Sequence, residues 1–201
     1  GSLSDSLNGA EGDDILDGKG GDDILTGGSG RDTLIGGKGT DQAYFDASNT
    51  NVALDIVSGD EIDLGDMGKM LGIEEIREIR TGSGNDTFDI HQTMHIEIHA
   101  GHGNNTIKVG NGGADVMIGS GDDNLTLGNG DDEVLTTGGA NMAKLGGGDD
   151  LFRFDGVFRM NIDAGQNING EGGNDEIATA SGNDLIKGGG GSDRLLAGGG
   201  N

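Results

Sequence analysis

The sequence predicts an all-β protein built of stacked repeats, on three observations. Glycine recurs on a nine-residue period, each unit carries an apolar residue at its eighth place, and an acidic residue commonly stands two places before it. In a first array GAEGDDILD, GKGGDDILT, GGSGRDTLI and GGKGTDQAY begin at Gly9, Gly18, Gly27 and Gly36. A second array is phased at Ala100, Val109, Ile118, Leu127, Thr136 and Leu145, with Gly103, Gly112, Gly121, Gly130, Gly139 and Gly148 all in fourth place. A third reads GEGGNDEIA, TASGNDLIK and GGGGSDRLL from Gly170 and stops inside a further copy.

Glycine at the first, second and fourth places calls for positive φ or close approach of chains, whereas the seventh to ninth places carry short β-prone runs. Each unit is therefore a turn followed by a strand. The eighth-place residues Leu16, Leu25, Leu34, Phe88, Ile107, Val116, Leu125, Val134, Phe152, Ile177, Ile186 and Leu195 supply about one core side chain per unit, too little for a unit to fold alone. Stacking buries a continuous narrow core, to which Ile118, Leu127, Leu145 and Phe154 add a second inward position two residues along the strand.

Composition narrows the function. The 201 residues include 45 glycines, no proline and no cysteine, and 36 acidic residues against 12 basic ones give a net charge of −24. Such a charge repels phosphate backbones and anionic membrane surfaces, which speaks against nucleic acid and lipid as partners and favours cations. With 31% apolar and 3% aromatic residues the chain lies near the disordered border, so something must offset its self-repulsion. The absence of cysteine excludes disulfides, thiolate metal sites and a cysteine nucleophile. No run approaches the roughly 18 apolar residues that span a bilayer, and no basic-then-apolar leader opens the sequence. Gly1-Ser2 resembles a cloning scar, and the third array reads as truncated, as in a fragment of a longer protein.

These nonapeptides resemble the G-G-x-G-x-D-x-U-x repeats of RTX (repeats-in-toxin) proteins, clearly over residues 9 to 44, 81 to 89, 100 to 153 and 170 to 201. The resemblance implies a right-handed parallel β-roll, a solenoid of two short-stranded parallel sheets with two nonapeptides per turn and Ca²⁺ between turns. It places sixth-place residues eighteen apart in pairs, each pair holding Ca²⁺ with carbonyls from the second and fourth places of the earlier loop and the first and third places of the later. Six oxygens suit this hard, flexible ion.

Carried onto this sequence, the pattern pairs Asp14 with Asp32, with carbonyls from Ala10, Gly12, Gly27 and Ser29. It pairs Asp23 with Asp41, with carbonyls from Lys19, Gly21, Gly36 and Lys38, whose side chains are irrelevant because only backbone oxygens bind. Asp123 pairs with Asn141, flanked by Gly119, Gly121, Thr136 and Gly138, and the amide weakens that site. Asp132 pairs with Asp150, flanked by Gly128, Gly130, Leu145 and Gly147. Asp175 pairs with Asp193, flanked by Glu171, Gly173, Gly188 and Gly190, while Asp184 awaits a partner just past Asn201. Ala114 and Asn105 stand in sixth places and mark metal-poor turns. Asp86 lies nineteen residues before Asn105, which implies a bulge near His91 to His99. About four to seven ions result.

The domain organisation reads as a first RTX array at 3–44, a non-repeat excursion at 45–80, a second array at 81–153 that is degenerate at 90–117, a metal-free connector at 154–169, and a third array at 170–201. Within the excursion, Val52 to Ile56 and Glu61 to Leu64 alternate like the strands of a hairpin. The following LGIEEIREIRTGSGNDTF resembles the strand that leads into RTX arrays and is read as strand over helix. The connector keeps Val157, Met160, Ile162 and Ile168 without the aspartates. His95, Glu97 and His99 alternate along a strand; a transition-metal site there is conceivable, but an exposed polar face is the plainer reading because no fourth ligand is specified.

Enzyme motifs are missing: no G-x-x-x-x-G-K-[ST], G-x-G-x-x-G or G-x-S-x-G occurs. Carboxylate pairs could serve glycoside hydrolysis, but identical pairs repeated along a rod argue for structure. Ice binding would want threonine at the third places, where Glu11, Gly20, Ser29, Lys38, Ser120 and Asn129 stand. The sequence thus points to a non-enzymatic, calcium-induced folding module of a secreted or cell-surface bacterial protein, with flanking domains and passage through a type I ABC exporter. The alternatives are an adhesin segment that contacts a partner through 45–80 and 91–99, or an accessory domain of a secreted protease, lipase or epimerase.

Overall fold

A computed structural model describes residues 2–48, 55–57, 61–64, 68–154 and 165–200. The described residues form strands and turns without a helix. A ten-stranded parallel sheet runs through the whole chain: β1 (Ser6–Asn8), β3 (Ile24–Thr26), β5 (Gln42–Ala47), β9 (Glu75–Thr81), β11 (Ile96–His99), β13 (Ala114–Ile118), β15 (Glu133–Thr136), β17 (Leu151–Phe154), β19 (Glu176–Ala178) and β21 (Arg194–Leu196). The intervening strands form two further sheets. Four strands make the first, β2 (Ile15–Asp17), β4 (Asp32–Ile35), β8 (Gly68–Leu71) and β7 (Glu61–Asp63). Seven make the second, β6 (Asp55–Val57), β10 (Thr87–Ile90), β12 (Thr106–Val109), β14 (Asn124–Thr126), β16 (Met142–Gly147), β18 (Asn167–Gly172) and β20 (Leu185–Gly190).

This is a β-solenoid of the β-roll kind, in which every second strand pairs in parallel. Val116 lies against Val134 and Val134 against Phe152, so two nonapeptides make one turn. The eighth-place residues from Leu25 to Ile177 point inward, and Leu25, Leu34, Phe88, Ile107, Val134 and Phe152 are fully or almost fully buried. Ile118, Leu127 and Leu145 are buried at the second inward position, with Phe154 packed beside them. Leu195 departs from the expectation at 44% exposure, because β21 pairs on one side only and no further turn covers it among the described residues.

Close stacking explains the glycines. At Gly139 φ is +88°, and a methyl group there would collide with the carbonyl oxygen of Gly121 in the turn before. The second place demands the left-handed region even without glycine: Ala10, Lys19 and Glu171 sit at φ of 75°, 73° and 73°. Holding a non-glycine residue there costs about 1 kcal/mol or more, which the surrounding turns must impose.

Residues 45–80 do not simply leave the roll. Strands β7 and β8 make an antiparallel hairpin, not the one read between Val52–Ile56 and Glu61–Leu64, since β6 pairs in parallel with β10; β8 also pairs in parallel with β4, and β9 with β5. The turn that joins β5 to β9 is lengthened to 33 residues by the insertion. Residues 75–81 are strand, as read from the sequence. The extra residue between Asp86 and Asn105 lies within 91–95, since β10 and β12 pair nineteen apart while β11 and β13 pair eighteen apart. Val52, Ala53, Leu54, Val157, Met160 and Ile162 lie outside the described residues; Ile168 is buried in β18.

Candidate metal centres

The sixth-place residues form ladders along the stack. Each donates its backbone N–H to the Oδ1 of its counterpart one turn on: Asp14 to Asp32 at 3.0 Å, Asp23 to Asp41 at 2.8 Å, Asp123 to Asn141 at 3.0 Å, Asp132 to Asp150 at 2.9 Å and Asp175 to Asp193 at 3.1 Å. All five pairs read from the sequence are brought together, as are Asp86 and Asn105 at 2.9 Å. Further rungs went unread. Asp5 donates to Asp23, Asp41 to Glu74 Oε2, Asp150 to Asp175 and Gln166 to Asp184, at 2.8, 2.9, 3.1 and 2.8 Å. The first is eighteen residues apart and could have been found by the period; the rungs to Glu74 and Asp175 span lengthened turns.

One oxygen of Asp23, Asp41, Asp123, Asp132, Asp150 and Asp175 accepts a ladder N–H, and the second is the informative one. Oδ2 of Asp14, Asp23, Asp41, Asp123, Asp132, Asp150 and Asp175 is buried with no hydrogen-bond partner. A buried, unsatisfied carboxylate oxygen is costly, so its recurrence at one place in the repeat points to a missing positive group. The first-place glycines locate the gap. A methyl group on Gly9 would lie under 3.0 Å from both Asp14 Oδ2 and the Gly27 carbonyl oxygen. The same holds on Gly18 for Asp23 and Gly36, on Gly170 for Asp175 and Gly188, and on Gly36 for Asp41 and Gly72. Two acceptors that converge on one point cannot bond each other. A cation that prefers oxygen fits between them, and the donor set of carboxylate and carbonyl is the one calcium takes.

The other carbonyls carried over from the resemblance lie in the same loops. The second-place oxygens of Ala10, Lys19 and Gly128 accept the N–H groups of Ser29, Lys38 and Gly147, and the third-place oxygens of Ser29, Lys38 and Gly190 accept those of Gly12, Gly21 and Gly173. The fourth-place oxygens of Gly12, Gly21, Gly121, Gly130 and Gly173 abut the fourth-place glycine of the next turn. Gly119 donates its N–H to the Gly101 carbonyl. Leu145 is fully buried at its first place.

Burial sets the electrostatics. Loss of water pushes Asp132 up to about 7, reinforced by the charge of Asp150 and opposed by the N–H of Ala114. Burial likewise pushes Asp123 to about 6, against hydrogen bonds from Asn105, and Asp150 to about 6, against the N–H of Asp132. These three have buried Ile118, Leu127 and Leu145 at the first places of their loops instead of glycine. Asp32, Asp41 and Asp175 are also raised, again chiefly by burial.

Some rungs satisfy themselves. Asn141 donates its side-chain N–H groups to Thr136 Oγ1 and the Gly138 carbonyl, both at 3.1 Å, so the amide occupies the Gly138 carbonyl read from the sequence as a ligand and the hydroxyl, not the carbonyl, of Thr136. Asn105 does the same toward the Gly103 carbonyl and Asp123 Oδ1, and Gln166 toward the Gly139 carbonyl. Asp184, read as waiting for a later partner, is engaged at both oxygens, by the Gln166 N–H and by the Thr179 hydroxyl at 2.7 Å. At Ala114 the rung supplies only a backbone N–H, to Asp132.

The histidine cluster differs from the sequence reading. His95 precedes β11 and approaches Asp115 at 3.3 Å, while His99 Nε2 meets Glu97 at 2.5 Å with Glu78 at 3.9 Å, so Glu78 takes the place expected for His95.

A family model, the RTX calcium-binding nonapeptide repeat in four copies, matches residues 2–25, 8–43 and 169–201. No curated protein and no solved structure matches the chain. Residues 100–153 lie outside the matched stretches and build the same ladder of turns. Over residues 2–43 and 169–201 the chain carries RTX calcium-binding nonapeptide repeats.

Proposed function

We propose that this chain is a non-catalytic module that folds on binding calcium, part of a protein secreted from a bacterium. The observation that carries the reading is the convergence of a partnerless carboxylate oxygen and a next-turn carbonyl at Gly9, Gly18, Gly36 and Gly170. In this reading Asp14 with Asp32, Asp23 with Asp41, Asp132 with Asp150 and Asp175 with Asp193 hold ions, with the loop carbonyls named above. Asp41 with Glu74 and Asp150 with Asp175 add two rungs of like chemistry. The Asp123–Asn141 rung is weak because its amide already occupies the Gly138 carbonyl. Bound calcium would supply the positive charge that these carboxylate and carbonyl oxygens coordinate between turns.

The chain's own residues do the rest. Ladder N–H groups hold Oδ1 of Asp23, Asp41, Asp132, Asp150 and Asp175 in place, which orients Oδ2 toward the gap; Gly9, Gly18, Gly36 and Gly170 keep that gap open, whereas Leu127 and Leu145 stand at the first places of the Asp132 and Asp150 loops. With about six sites, each at ten times its dissociation constant, mass action contributes about 1.4 kcal/mol per site and about 8 in all, comparable to the stability of a domain. Without calcium a −24 chain with few apolar residues stays expanded, the state suited to passage through a type I exporter; outside the cell, where calcium is abundant, it folds and steadies the domains that flank it.

Counting bound ions by native mass spectrometry tests this. Asp132→Ala lowers the calcium count by at least one, while Arg153→Ala leaves it unchanged. Equal counts for both variants contradict the ligand assignment.

A further inference from the structure

The outward side chains of the seven-stranded sheet are unlike the rest of the molecule. From β12 to β20 they form two ranks, Thr106, Asn124, Met142, Asn167 and Leu185 in one and Lys108, Thr126, Lys144, Asn169 and Lys187 in the other. In a chain of 36 acidic and 12 basic residues, this stretch holds three lysines and no carboxylate. The ten-stranded sheet shows the contrast: Glu78, Glu97, Asp115 and Glu133 stand in one outward rank that continues through Leu151 and Glu176 to Arg194. Lys108 is paired with Asp89 at 3.2 Å. Lys144 and Lys187 form no ion pair among the described residues and line a groove of about 410 Å³ with Asn124, Thr126, Asn167 and Asn169. The nearest carboxylate in register is Glu171, one step beyond Asn169.

The two free lysines lie two strands apart, about 9.5 Å at ordinary strand spacing, close to the length of two sugar rings in an extended chain. Between and beside them are amides and a hydroxyl, which serve sugar hydroxyls as donors and acceptors, and Met142, half exposed, which offers an apolar surface to a ring face. No aromatic residue lines the groove, so stacking of nucleic-acid bases has no platform. The net charge does not forbid an anion here, because at physiological salt charges beyond about 8 Å are screened and the local lysines govern.

We propose that this face binds an extended acidic polysaccharide, its carboxylates paired with Lys144 and Lys187 and its hydroxyls with the amides between them. The proposal requires the stacked turns and not calcium as their cause, so a failure of calcium-coupled folding leaves it standing.

Calorimetry with short oligogalacturonate, on protein in calcium, decides it. Binding is expected, weakening as sodium chloride is added, and falling about tenfold or more in the Lys144→Gln/Lys187→Gln double variant. Arg153→Gln, on the ten-stranded sheet, retains full affinity, and circular dichroism of all variants in calcium stays unchanged. The proposal is overturned by no binding, by binding that strengthens with salt, by equal affinity for single-stranded DNA, or by undiminished affinity in the double variant, which would place the ligand on calcium in the loops.

Discussion

At Gly18 a hydrogen atom where other residues carry a methyl group lets two oxygens, from Asp23 and Gly36, face one point. The same holds at Gly170 for Asp175 and Gly188. Gly18→Ala and Gly170→Ala should each remove calcium from one site while leaving every aspartate in place. Calorimetric stoichiometry checks this, and an unchanged ion count would contradict the siting. Protonation offers a second handle. Asp132, Asp123 and Asp150 hold protons up to about 7, 6 and 6 in the folded, metal-free chain, whereas they release them near 3.8 when unfolded. Between those values the folded state binds more protons, so its metal-free stability falls as pH rises from about 4 to 7 and grows as pH is lowered. Calcium must displace those protons, so its affinity should fall as pH drops below about 7. Circular dichroism in EDTA and calcium titrations at pH 7.5 and 5.5 test both signs; a metal-free fold that strengthens with rising pH would contradict the burial of these groups. The rung pairs were legible because the resemblance to RTX repeats implies two nonapeptides per turn, a spacing of eighteen that carried Asp14, Asp23, Asp132 and Asp175 to their partners. Glu74 was not, since 33 residues separate it from Asp41 and nothing in the sequence marks where the turn resumes.

At the scale of elements, the two kinds of ladder differ in chemistry. Along the ten-stranded sheet Asp132, Asp150, Asp175 and Asp193 succeed one another as carboxylates. Along the seven-stranded sheet Asp86, Asn105, Asp123, Asn141, Gln166 and Asp184 mix three acids with three amides. The amide N–H groups of Asn105, Asn141 and Gln166 reach the carbonyls of Gly103, Gly138 and Gly139, so these rungs carry donors of their own. Asn141→Asp removes two donors and buries a second charge. The folded form should be destabilised by about 1–3 kcal/mol at calcium just sufficient for folding, with part of the loss recovered at saturating calcium. Thermal unfolding at the two calcium concentrations measures this, and an equal effect at both would contradict the amide's role. The sequence signalled the weakness of Asn141 and Asn105 but not the part of Gln166. The enlarged turn, 25 residues from Asn141 to Gln166, hides the ladder, and glutamine at a sixth place falls outside the repeat pattern. The histidine strand misled for a related reason: the extra residue in 91–95 takes His95 out of line with Glu97 and His99, and the bulge between Ala43 and Tyr44 brings Glu78 in.

Over the whole molecule the balance is between a narrow apolar core and a large negative charge. Leucine, isoleucine, valine and phenylalanine at the eighth places form one continuous buried cluster, but it is only about one side chain wide per strand. Against it stand seven buried carboxylate oxygens without partners and a net charge of −24. Hydrophobic burial alone leaves those oxygens uncompensated, which is the imbalance the proposed ions would remove. The fold class was readable from period and patterning, since stacking is what a turn-plus-strand unit with one core residue must do; the division into three sheets was not, because it depends on where residues 45–80 rejoin the stack. The most direct test is far-ultraviolet circular dichroism through a calcium titration, with EDTA and magnesium as controls. The account predicts a disordered spectrum in EDTA, little change with magnesium, and a cooperative gain of β signal as calcium is added. A spectrum already rich in β structure in EDTA would contradict it.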